Sequence, residues 1–80
     1  MLMLHIGKRI HEVFHTKYPD HSIVWFANAL HCQRSNIYNI FTRSTIDTAM
    51  LKRIGMVLNH DFFAELSSDF QECLASKDSE

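Results

Sequence analysis

The sequence predicts an all-α fold, a compact bundle of five short helices. Three observations lead there. Two glycines and one proline in 80 residues are too few for a sheet turned on tight hairpins. Apolar residues recur three and four apart, the helical period. Between the periodic stretches stand a proline or polar residues suited to capping a helix.

Ile6, Ile10, Val13 and Phe14 set a first amphipathic helix over residues 6–18. Pro19-Asp20 ends it, because the residue before a proline is pushed out of the helical region. Ser22 caps a second helix whose inner side is Phe26, Ala27 and Leu30. His31-Cys32 is a very short break. A third helix at about 34–42 follows, with Ile37, Ile40 and Phe41 on one side and a loop from Thr42 to Ile46 after it. Asp47 caps a fourth helix through Leu58, with Met50, Leu51, Ile54 and Leu58 inward. Asn59-His60 breaks the chain again. Asp61 caps a fifth helix with a stripe of Phe63, Leu66, Phe70 and Leu74. Residues 1–66 read as the domain and 67–80 as an acidic C-terminal extension, helical to about 74 and frayed from 75. The two-residue join between helices two and three suits a steep crossing, as in a helix-turn-helix.

A chain of this length buries only about 60% of its unfolded surface, so any site should be a surface or a shallow groove. Overall the formal charge is −1, but it is unevenly spread. Residues 1–60 hold seven Lys/Arg against three acids, a net +4; residues 61–80 hold one lysine against six acids, a net −5. A basic body with an acidic end is compatible with a polyanionic partner. No apolar run approaches the roughly 18 residues of a membrane helix. The start, Met1 to Leu4, is too short for a signal peptide and lacks a basic leader. Cys32 and Cys73 are isolated thiols with no CxxC spacing. These features point to a cytoplasmic protein without a membrane partner.

The third helix carries the functional signal. "HCQRSNIYNIF", residues 31–41, contains an arginine, a serine and two asparagines but no acid. At about 100° per residue, Ser35, Asn39 and Thr42 stand opposite the apolar side, flanked by Arg34, Asn36 and Tyr38. Arg can donate two bonds to guanine, Asn can pair with adenine, and Ser or Thr can serve base or phosphate. An ordinary solvated face would more often carry Lys and Glu, and asparagine is a poor helix former. This face is therefore expected to read base edges in the major groove of double-stranded DNA.

"SIVWFANALHCQRSNIYNIF", residues 22–41, resembles the helix-turn-helix of the Xre group of phage-repressor-like regulators. Ala27 matches the small residue of its first helix and Leu30 the apolar residue three on. Ile37 and Ile40 match the apolar positions of its second. "STIDTAMLKRIGMVLNHDFF" resembles the family's fourth helix and the start of its fifth, and the likeness to short Bacteroides-type members covers residues 6–66. The resemblance implies a lambda-repressor-like fold and a sequence-specific transcriptional regulator, a repressor. It implies base contacts from Arg34, Ser35 and Asn39, and backbone contacts from Lys8, Arg9, Gln33, Asn36, Tyr38 and Arg43. Four positions depart from the family pattern. His31 stands at the turn where the family usually has glycine, and Gln33 where it often has a Ser or Thr cap. Ile23 replaces a phosphate-touching Gln, and Arg43-Ser44 follows the recognition helix instead of glycine.

Other constellations carry less. His11 and His15 have a spacing able to hold a metal, but no third ligand is near in sequence, so they read as solvated or phosphate-facing imidazoles. Cys32 reads as buried packing, Trp25 as core rim, and Lys52 and Arg53 as solvent-exposed. No glycine-rich phosphate loop or nucleophile–base set suggests an enzyme, and no cofactor, metal or small-molecule effector is indicated. Phe63, Phe70 and Leu74 make more apolar stripe than a small domain can easily hide, and a homodimer is expected, chiefly through Phe70 and Leu74. The alternative function is a protein-interaction module of the same fold without DNA binding, motivated by the low net charge and Ile23.

Overall fold

The computed structural model describes residues 4–78. The reading of the first three residues as no leader, and the fraying expected at 79–80, fall outside them. Among the described residues the chain forms five helices and no strand: α1 (Ile6–Lys17), α2 (Ile23–Ala29), α3 (Arg34–Thr42), α4 (Thr48–Leu58) and α5 (Phe62–Asp78).

Local chemistry sets most of the boundaries. The Ser22 side chain accepts the N–H of Trp25 at 3.1 Å, Asp47 that of Met50 at 2.8 Å, and Asp61 that of Ala64 at 3.0 Å. His5 Nδ1 does the same for Lys8 at 3.1 Å, a cap the sequence did not announce. α2 and α4 both end on a residue in the left-handed region, His31 (φ 57°) and Asn59 (φ 51°). Around His31 the N–H of Cys32 reaches the carbonyl of Ala27 at 2.9 Å, and that of His31 reaches Asn28 at 3.1 Å. That pair of bonds is the Schellman ending, which glycine adopts without strain. His31 adopts it at the residue that ends α2.

Thirteen apolar side chains make one core: Ile6, Ile10, Val13, Phe14, Phe26, Ala27, Leu30, Ile37, Ile40, Leu51, Ile54, Leu58 and Phe62. Phe14 and Phe26 stack at its centre, with ring centroids 4.9 Å apart. Trp25 is half-buried at the rim, stacked on Tyr18 at 5.2 Å, and Cys32 packs partly buried against the core. The first four helices place their apolar residues as their periodicity predicted.

α5 differs in two respects. It continues through Asp78, beyond the expected end near 74. Its docked residue is Phe62, fully buried, while Phe63 is 41% exposed. Phe62 and Leu66, four apart, share the face against the core. Phe63, Phe70 and Leu74 lie on the next face round and are exposed, so the expected four-residue stripe is divided. Beyond Leu66 the helix leaves the core, and the molecule measures 46 × 20 × 18 Å.

α1 is locked to the exit of α3. The N–H of Gly7 donates to the carbonyl of Arg43 at 2.8 Å and that of Ile6 to Ser44 at 3.3 Å. Two of the unsatisfied donors at the start of α1 thereby fix where α3 ends.

Candidate nucleic-acid interface

α3 turns Ile37 and Ile40 into the core, and Phe41 is half-buried against it. Gln33, Arg34, Ser35, Asn36, Tyr38, Asn39, Thr42 and Arg43 are all exposed. Between Asp20 and Asp47 the chain contains no carboxylate. Gln33 occupies the N-cap position without a side-chain hydrogen bond, so the first N–H groups of α3 have no side-chain acceptor. That end carries the positive pole of the helix dipole, with Arg34 beside it, and favours anions.

The helix stands between two shallow hollows. One is lined by Gln33, Arg34, Ser35 and Tyr38. The other, about 220 Å³, lies between α3 and the start of α4 and includes Asn36, Asn39, Arg43 and Asp47. Arg34 and Ser35 therefore face one hollow and Asn39 the other, with Ser35 and Asn39 neighbours one turn apart. The Asp47 carboxylate is engaged with the N–H of Met50. The Thr42 hydroxyl donates to the carbonyl of Asn39 at 2.7 Å.

Lys8 and Arg9 are elsewhere. They line a groove between α1 and α5 whose opposite wall holds Glu65, Asp69 and Glu72, and no α3 residue borders it. Arg9 Nε donates to Glu65, and its Nη1 lies 3.5 Å from Glu12. His60 Nε2 meets the other oxygen of Glu65. Hydrogen bonding to Glu65 raises the Arg9 pKa against the opposing effect of burial. Burial opposes ionisation of Glu65, but its hydrogen bonds to Arg9 and His60, with their charges, outweigh it and hold the carboxyl below its ordinary value. The expected phosphate partners on α1 thus face the acids of α5.

Arg53 is exposed, as expected, and has a further role. Its guanidinium donates to the carbonyl of Leu30 at the end of α2, and the Lys17 ammonium donates to the carbonyl of Asn59 at the end of α4. Each cation closes a helix C-terminus, where the dipole favours it. Lys52 is exposed. His11 and His15 are exposed and meet each other, Nε2 to Nε2, at 2.8 Å. Partial burial and the charge of His15 lower the His11 pKa, against the pull of Glu12.

No helix among the described residues is long and apolar enough to cross a membrane. No family model matches the chain, and no curated protein or solved structure matches it significantly.

Proposed function

We propose that the chain is a sequence-specific DNA-binding regulator of the Xre-like, lambda-repressor-like kind, a repressor whose α2 and α3 form the helix-turn-helix. α3 enters the major groove. One observation carries the reading: α3 is a ridge whose solvent face holds amides, hydroxyls and guanidinium groups and no carboxylate. Arg34, Ser35 and Asn39 contact base edges. Gln33, Asn36, Tyr38 and Arg43 meet the sugar-phosphate edge, which positions the protein without reading sequence. Arg9 is left out of this set because Glu65 engages its guanidinium, and Lys8 because it borders the same acid-lined groove.

The free stripe of α5 supports a homodimer. Met56 of α4 is 73% exposed, borders the same hollow as Phe63, and extends the stripe of Phe63, Phe70 and Leu74. The α5 residues Ala64, Ser67 and Gln71 that follow on round the helix are uncharged, and Glu65, Asp69 and Glu72 lie toward α1. The hollow shared by Met56 and Phe63 also holds Lys52 and Asp61, one charge of each sign at the edge of the stripe. Two joined domains can occupy half-sites about 34 Å apart on one face of the duplex. The same stripe, with the net charge of −1, favours a second reading, a protein-interaction module without DNA binding.

Selection from a random duplex pool tests the choice. Enrichment of a two-fold symmetric sequence is the expected result. Absence of binding to any duplex at low salt gives the interaction module.

A further inference from the structure

His11 and His15 stand one turn apart on α1 and contribute nothing to the interface proposed above. Their Nε2 atoms are 2.8 Å apart, their ring centroids 4.3 Å apart, and their planes at 74°. Two imidazoles meeting end-on across a bond of that length would hold their centroids about 5 Å apart. The shorter separation means that the ring nitrogens are tilted off the line joining them, a tilt that a bent hydrogen bond tolerates and a shared ion requires. Metal–nitrogen bonds of about 2.05 Å meeting at a right angle hold two imidazole nitrogens about 2.9 Å apart and their centroids about 4.5 Å apart. A tetrahedral angle spreads the nitrogens to about 3.3 Å. The observed spacing lies nearer the right angle, and it is also that of an N–H···N hydrogen bond joining the two rings when no ion is bound.

Both rings are already placed. The His11 ring lies 4.4 Å from that of Phe41 on α3, and the His15 ring 5.7 Å from that of Phe14. Both histidines are exposed, so an ion can reach them from solvent and keep water in its other positions. The intervening Glu12 is drawn toward Arg9. Among the described residues no group of three or more His, Cys, Asp or Glu could hold a metal, so any ion here has two protein ligands. Imidazole suits copper, nickel and zinc, and right-angled geometry separates the first two from tetrahedral zinc.

We propose that His11 and His15 form a two-imidazole site for a divalent ion of square or octahedral preference, Cu(II) or Ni(II), on α1 beside the end of α3. The site stands whether or not α3 binds DNA.

Ni(II) is the probe, because the free thiols of Cys32 and Cys73 react with Cu(II). The tag-free full chain is titrated with nickel chloride and, separately, zinc chloride by calorimetry. One nickel ion per chain is expected, bound more tightly than zinc. His11→Gln and His15→Gln should each weaken nickel binding at least tenfold, while His60→Gln leaves it unchanged. Ring resonances of His11 and His15 should broaden first in the wild-type NMR spectrum, a readout independent of the variants. No nickel uptake, an affinity indifferent to both substitutions, or broadening led by another histidine overturns the site. Tighter zinc binding overturns its right-angled geometry.

Discussion

The backbone N–H of Gly7 donates to the carbonyl of Arg43 at 2.8 Å, tying the start of α1 to the residue that ends α3. The approach is so close that a Cβ on Gly7 would lie 2.5 Å from the Arg43 carbonyl oxygen and 2.6 Å from that of Phe41. Both are backbone atoms that cannot swing aside. Gly7→Ala should therefore destabilise the fold by about 2 kcal/mol or more, since overpacking against a rigid neighbour forces the backbone to move. Urea unfolding measures it. A loss within 0.5 kcal/mol of zero would mean that α1 and α3 are not locked in this way.

His31 holds φ at 57°, a conformation costing a non-glycine residue roughly 1–2 kcal/mol. His31→Gly relieves that strain, offset in part by the extra freedom of glycine in the unfolded chain. A gain of up to about 1 kcal/mol is expected, read as a rise of several degrees in the thermal midpoint. A fall would place the turn in another conformation.

Glu65 joins α5 to α1 through Arg9 and to the preceding loop through His60. Its folded pKa is depressed, so its contribution is present above the unfolded carboxylate value and is lost as pH falls through the folded one. Glu65→Gln should cost about 1–2 kcal/mol at pH 7, discounted for partial exposure. The wild-type advantage should shrink as pH falls below the unfolded carboxylate value of about 4.3 and vanish only below the depressed folded value. Unfolding of both proteins from pH 7 to 3 checks this; a difference constant across that range would remove the ion pair from the explanation.

Phe70 is 58% exposed on the free face of α5. Phe70→Glu should convert a dimer to a monomer in sedimentation while leaving helicity unchanged. An oligomeric state identical to wild type would exclude this stripe as the interface.

Much of this was legible in the sequence, and the parts that were not share a physical cause. Ser22, Asp47 and Asp61 act on backbone three residues away, so sequence alone identifies them as caps. The break at His31-Cys32 was readable from its place between two apolar patterns, but the left-handed backbone at His31 was suggested only by the family resemblance. Phe62 and Phe63 were not separable, because either continues a helical stripe and only docking against α4 sets the phase. The pairing of Arg9 with Glu65, 56 residues apart, and the hydrogen bond from Arg53 to Leu30, 23 apart, are invisible to any local rule. Lys8 and Arg9 therefore looked available to phosphate when their surroundings are acidic. Gly7 carries no local signal of its role, although its missing side chain lets α3 sit where it does.

The most direct test concerns Arg34, exposed at the first turn of α3. Wild type and Arg34→Ala are titrated against the selected duplex and a scrambled one across a salt series. A base-reading Arg34 predicts a loss of about 1–3 kcal/mol on the selected duplex, relaxed choice at one base pair per half-site, and little change on the scrambled duplex. An equal loss on both duplexes would make Arg34 a phosphate anchor and contradict the assignment of α3 as the reading helix through this residue.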